Sequence, residues 1–157
     1  MYKRVPDFTA SLFKQASARA SLRGNEKYPE IRGVAKFYQT SFGVIVSVAL
    51  SGLPEKSALG FHIHGGADCK NPGSHYNPAN TLHPYHAGDL PPVFSAGGYA
   101  FYVVLTNRFT VSEIVGKTVV LHGLPDDFTT QPSGNSGKRI ACGVVDRIVG
   151  HYPYDFD

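Results

Sequence analysis

The residues with the greatest chemical capacity in this 157-residue chain are its histidines, and all seven follow residue 60: His62, His64, His75, His83, His86, His122 and His151. In Gly60-Phe61-His62-Ile63-His64 a period of two puts both imidazoles on one side of a strand and Phe61 and Ile63 on the other. A strand presents two nitrogen ligands to one metal in this way, although a lone His-x-His pair is equally well explained by two surface histidines. The loop-like Gly73-Ser74-His75-Tyr76-Asn77-Pro78 is followed at short intervals by His83, His86 and Asp89. Three imidazoles and a carboxylate form a four-coordinate set suited to zinc, and closure by four protein ligands marks a structural metal. In Thr118-Val119-Val120-Leu121-His122 the last imidazole shares a face with Thr118 and Val120, where it could complete an imidazole set with His62 and His64.

Holding such groups requires a scaffold, and the punctuation of the chain describes one. Strand-like runs at 18–23, 31–39, 43–51, 60–64, 98–106, 117–122 and 142–149 are separated by Gly, Pro, Asn or Ser clusters. Many short strands of this kind predict an all-β sandwich or barrel. The best alternation is in Gly43–Leu50, where Val44, Val46, Val48 and Leu50 share one face and Ile45, Ser47 and Ala49 the other, so one face is core. The Tyr, Phe and Val residues of Gly98–Leu105 read as a core strand. Residues 65–97 and 123–141 break the rhythm and are too long for hairpin turns, which predicts two functional loops. Phe8, Leu12 and Phe13 could form the apolar edge of a short helix after Asp7.

Composition narrows the class further. At 42% apolar content the chain fits a single domain spanning residues 1–157, with an N-terminal extension at 1–16 and a tail at 150–157. The formal charge of +3 is mild, and Arg19, Arg23, Lys36, Arg108 and Arg147 are scattered, which argues against a nucleic-acid partner. No segment approaches a membrane span, and residues 1–20 lack the apolar run of a signal peptide, so a cytoplasmic location is expected. Cys69 and Cys142 would ordinarily stay reduced there, and two buried thiols are as admissible at this point as a bridge.

Taken in order, GFHIHG, GSHYNP, HPYHAGDL, VVLHGLPDD and GKRIACGVV resemble the copper,zinc superoxide dismutase family, closely over residues 60–145 and by strand pattern alone over 18–59. The resemblance implies a Greek-key β-sandwich, or flattened eight-stranded barrel, that converts two superoxide ions and two protons into dioxygen and hydrogen peroxide. It implies one copper per subunit on His62, His64, His75 and His122, and one zinc per subunit on His75, His83, His86 and Asp89. His75 would bridge the two metals and take part in catalysis. Asp126 would accept hydrogen bonds from the far nitrogens of His62 and His83, although Pro125-Asp126-Asp127 alone reads as a turn or helix start. Arg139 would attract and dock the anion, where the residues alone allow a solvated basic pair with Lys138. Cys69 and Cys142 would form an intrasubunit disulfide, worth roughly 4 kcal/mol in the chain-entropy model. His151 matches no ligand position. A homodimer is among the compatible assemblies. The alternative function is a dismutase-like domain that holds zinc, or zinc plus copper, with little or no turnover.

Two departures from the family pattern bear on rate. Only Pro84 and Tyr85 separate His83 from His86, so the zinc loop must bend differently. Residues 128–137 (FTTQPSGNSG) carry no charge, which leaves attraction of the substrate to Arg139 and Lys138 and predicts activity below the family's best.

Overall fold

The alternation in residues 43–51 becomes β3 (Gly43–Ser51), the third strand of an eight-stranded antiparallel sheet. The computed structural model describes residues 6–12 and 14–149. The other strands are β1 (Ala18–Gly24), β2 (Arg32–Thr40), β4 (Ala58–His64), β5 (Asp89–Phe94), β6 (Ala100–Thr106), β7 (Thr118–His122) and β8 (Arg139–Arg147). Around the sheet they run β5-β4-β7-β8-β1-β2-β3-β6, a meander of β1 to β3 joined to the rest by crossovers. The end strands β5 and β6 approach each other at the Ala96–Tyr99 bridge, so the sheet nearly closes into the expected Greek-key barrel.

Val44, Val46, Val48 and Leu50 point into the barrel, where they share one core with Phe37, Phe61, Ile63, Val119 and Leu121. Each such side chain contributes about 2 kcal/mol on burial. The same packing decides where the histidines go. With Phe61 and Ile63 inside, the two-residue period of β4 sends His62 and His64 to the outer face. They are nevertheless 0% and 6% exposed, because the long loops fold over that face. Ile45, on the outer face of β3, is buried with Ala16 and Tyr38 against Phe8 and Ile148. Phe8 also meets Phe42 edge-on at 5.7 Å. Part of the N-terminal extension is therefore packed onto the barrel. Its helix α1 (Thr9–Leu12) starts two residues after Asp7, whose Oδ1 accepts a hydrogen bond from the Thr9 amide at 3.0 Å. Phe8 precedes that helix, and Phe13 lies outside the described residues.

Three expectations need correction. Residues 65–97 are not one loop, because β5 occupies Asp89–Phe94 and pairs with β4. Pro91 and Pro92 hide this strand, since proline is a poor strand residue and is tolerated at a sheet edge such as this. The second loop ends sooner, at residue 138, because β8 begins at Arg139. β6 is only half a core strand: Tyr102 and Val104 pack against the core, whereas Phe101 is 72% exposed. A short helix, α2 (Val111–Ile114), sits between β6 and β7 and buries Val111 and Ile114. No helix among the described residues is long and apolar enough to cross a membrane. A disulfide between Cys69 and Cys142 ties the loop after β4 to β8.

Candidate metal centre

Barrel geometry assembles the first histidine group. On β4 and β7, His62 lies opposite Val120 and His64 opposite Thr118, all on the outer face. A register shift after Leu121 then turns His122 toward them, leaving the His122 ring 5.0 Å from that of His62 and 5.2 Å from that of His64. His75 arrives from the loop through an isolated bridge to His64, with its ring 4.0 Å from that of His62. The second group is carried by a loop and the first residue of β5. His75 Nδ1 is 2.7 Å from Asp89 Oδ1, and His83 Nδ1 and His86 Nδ1 are 3.1 and 3.3 Å from Asp89 Oδ2. In each quartet one potential ligand atom per residue lies within 4.8 Å of the others.

The hydrogen bonds fix which nitrogen of each ring is free. A carbonyl oxygen can only accept, so the bonds from His64 Nδ1 to Gly73 O (2.7 Å) and from His122 Nδ1 to Gly137 O (3.0 Å) put a proton on each Nδ1. The two Nε2 atoms, both lone-pair bearers in the neutral rings, then face each other at 3.1 Å. A cation between them removes the conflict. On the other side, Asp126 accepts from His62 Nε2 at 2.7 Å and from His83 Nε2 at 2.8 Å, which leaves both Nδ1 atoms unprotonated. Among the described residues His62 Nδ1, His75 Nε2, His83 Nδ1 and His86 Nδ1 are buried with no hydrogen-bond partner. Buried polar atoms are rarely left so without a ligand to satisfy them. These four atoms belong to the two quartets, and the two other buried atoms without a partner, Ser95 Oγ and Thr118 Oγ1, are hydroxyls outside them.

Electrostatics agree with neutral rings. Burial, followed by the neighbouring His75 and His122, pushes the His62 pKa down to about 2. Burial likewise lowers His64 to about 4 against the opposing pull of its bond to Gly73, and it lowers His122 as well. The His62–Asp126 contact is therefore a hydrogen bond to a neutral ring and not an ion pair. At Asp89 burial raises the carboxyl pKa, but the hydrogen bond from His75 and the nearby His75, His83 and His86 outweigh it and hold the group ionised.

The long loops brace the site. Asp126 also accepts the Phe128 amide at 2.7 Å, and Gly134 packs so closely on that carboxylate and on His83 that any side chain there would collide with both. Gln131 grips His83 twice, accepting from its amide at 2.9 Å and donating to its carbonyl at 2.8 Å. From beyond β6, Arg108 Nη1 donates to the carbonyls of Pro84, His86 and Asp89 at 2.8, 3.3 and 3.4 Å. Arg139, half-buried at the start of β8, donates to the Cys69 carbonyl, so its guanidinium is oriented by the disulfide-bearing loop. A cleft of about 350 Å³ lined by His64, His75, His86, His122, Pro132 and Ser133 opens onto the centre.

The structure thus brings together the eight ligand positions singled out in the sequence, counting shared His75 in each group, with Asp126 behind them and Arg139 nearby. His151 lies outside the described residues. The sequence reading missed Arg108 and Gln131. Arg108 stood among scattered basic residues, and Gln131 lies in an uncharged loop, so neither carried a local signal.

Comparison with known proteins gives a consistent result. The family profile for copper/zinc superoxide dismutase matches residues 31–145. Superoxide dismutase (Cu-Zn) 2 of Aquifex aeolicus (strain VF5) is 33% identical over 157 aligned residues, covering 87% of this chain and 91% of that protein. The superoxide dismutase (Cu-Zn) of Legionella pneumophila is 38% identical over 129 residues, covering 74% and 79%. A copper chaperone for superoxide dismutase from Mus musculus is 32% identical over 138 residues, covering 76% of this chain and 50% of its own.

Proposed function

From the premise that the chain belongs to the copper/zinc superoxide dismutase family, we propose that it disproportionates superoxide, holding copper on His62, His64, His75 and His122 and zinc on His75, His83, His86 and Asp89. The observation that carries this reading is the pair of Nε2 lone pairs of His64 and His122 facing each other at 3.1 Å, beside the orphaned His62 Nδ1 and His75 Nε2. Four neutral imidazoles suit both oxidation states of copper, and three imidazoles with one carboxylate suit zinc.

Copper, when bound, supplies one-electron oxidation and reduction, and zinc supplies a fixed positive charge. The chain supplies orientation, a proton and attraction. Asp126 binds one ring from each quartet and so locks His62 and His83 in complementary tautomers. His75 has one nitrogen toward Asp89 and the other toward the copper group, so it can hold or release a proton at Nε2 where the substrate enters. Two superoxide ions consume two protons, and the products are one dioxygen and one hydrogen peroxide. Arg139 provides a permanent positive charge near His64 and His122, and its bond to Cys69 O keeps the guanidinium in place before the anion arrives.

Reconstitution with copper and zinc, followed by metal analysis and superoxide consumption on the same sample, tests the reading. We expect one of each metal per chain and rapid consumption. Consumption no faster than that of zinc-only protein would overturn it. The uncharged stretch 128–137 supports one second reading, a metal-holding domain with little turnover. Full loading without consumption would select that reading.

A further inference from the structure

The outer surface of the barrel carries its charge unevenly. On β1 and β2 the exposed Arg19 lies directly opposite Lys36 and the exposed Arg23 opposite Arg32, so like charges are paired across the strands. Such pairs oppose sheet formation, and a partner of opposite charge relieves them. Asp146, across from Arg19 on its other side, is the one carboxylate carried by β1, β2, β3 or β8. Among the described residues no lysine or arginine lies in ion-pair range of a carboxylate, so the four cations reach solvent unneutralised. Together with Asp146 they carry the formal charge of the whole chain, +3, and the rest of the molecule is balanced. At about 3.3 Å per residue the two cation pairs stand about 13 Å apart along the strands, separated on that face only by Ser21 and Val34, both shorter than the side chains they divide. One end of the face is bounded by the N-terminal segment, where Phe8 and Ala16 pack on the outward Tyr38 and Ile45. Phe42, in the β2–β3 turn, meets Phe8 edge-on there and is still 57% exposed.

We propose that the outer β1–β2 face, with Phe42 at its rim, docks on an anionic lipid surface. Long arginine and lysine side chains reach headgroup oxygens, and laterally mobile anionic lipids can gather beneath cations that repel one another in water. An exposed aromatic ring beside them can enter the interface. Nucleic acid fits this face less well. Helices α1 and α2 have four residues each, too short to read a groove, and no aromatic stands between the cation pairs to stack a base. In the sheet, β8 separates this face from β7, and the histidines of the copper group stand on β4, β7 and the loop beside them, so docking leaves the metal cleft open. The proposal rests on the charge of one face and is independent of the redox reading.

Co-sedimentation of the full, metal-loaded chain with phosphatidylcholine vesicles containing about 30% phosphatidylserine, at low salt, tests it. Half of the protein should be bound near about 1 mM accessible lipid, the range set by four surface cations. It should be released at about 0.5 M salt and should not bind pure phosphatidylcholine. Arg23→Ser combined with Arg32→Ser should weaken binding about 20-fold, and Phe42→Ser about 5-fold. Circular dichroism, metal content and superoxide consumption should stay as in the parent chain. Asp146→Asn removes the lone carboxylate of the face and should tighten binding about 3-fold. Lys56→Gln removes a charge from the β3–β4 turn, off this face, and should change binding by less than about 2-fold. Failure to bind anionic vesicles overturns the proposal, as does binding that survives the arginine or the Phe42 substitutions or that Lys56→Gln reduces as much. Tighter binding to heparin or single-stranded DNA than to vesicles, at equal concentration of anionic groups, overturns it in favour of a polymer. If vesicles are bound only after removal of residues 150–157, which include Asp155 and Asp157, the chain's own end covers the face and the proposal fails.

Discussion

The two metal groups are built in opposite ways, although they share His75. In the copper group His62, His64 and His122 stand on paired strands whose inward faces are locked in the core, and two of the three rings are held by backbone carbonyls. In the zinc group the positions are set by side chains reaching in from elsewhere, namely Asp126, Gln131 and Arg108. A backbone carbonyl cannot be removed by mutation, whereas a clamping side chain can. Three of the four copper positions are therefore set by strands of the barrel, with Asp126 holding His62 as well, whereas the zinc positions depend on the side chains of Asp126, Gln131 and Arg108. Between His83 and Asp89, Arg108 donates to the carbonyls of Pro84 and His86 and so ties down the short segment that carries the zinc quartet.

Substitutions should separate the two groups. His122→Ala should have the largest effect, reducing copper-dependent superoxide consumption to the zinc-only background while zinc stays near one per chain by elemental analysis. Equal loss of both metals would mean that the groups are not separable. Asp126→Ala reaches into both groups and should cost about 10-fold to 100-fold in metal affinity, measured by competition with a chelator. Arg139→Ala should leave both metals bound and slow turnover by about 10-fold, with a flatter dependence on ionic strength. An unchanged salt response would remove Arg139 from attraction of the anion.

Gln131→Ala and Arg108→Ala test the difference itself. Each should weaken zinc by up to about 10-fold and leave copper affinity unchanged. A matching loss of copper would show that the barrel does not hold its group alone. A separate effect is expected on the metal-free protein. His62 and His64 are held neutral until about 2 and about 4 in the fold, against 6.5 as the ordinary value. Below pH 6.5 the unfolded chain therefore binds more protons than the folded one, and stability should fall progressively as the pH drops from there toward 4. Urea midpoints of the metal-free protein that stay flat over that window would contradict it.

Some of this was legible in the residues themselves. A period of two suffices to place Phe61 and Ile63 inward and His62 and His64 outward, because the alternation of a strand leaves no other arrangement. Asp126 had no signature beyond a turn and was found only by resemblance. β5 was hidden, since Pro91 and Pro92 weaken a strand pattern that the edge position tolerates. The outward Phe101, Val103 and Leu105 of β6 read as core because a strand apolar on both faces does not announce which face is solvated. Gln131 and Arg108 act through contacts 48 and 24 residues away in sequence, and such pairings are set by topology alone.

The most direct test of the division between strand and loop is anomalous diffraction from the reconstituted protein, collected on either side of the copper and zinc absorption edges. The account predicts a copper peak enclosed by His62, His64, His75 and His122 and a separate zinc peak enclosed by His75, His83, His86 and Asp89. A single peak, or copper and zinc mixed within both quartets, would contradict it.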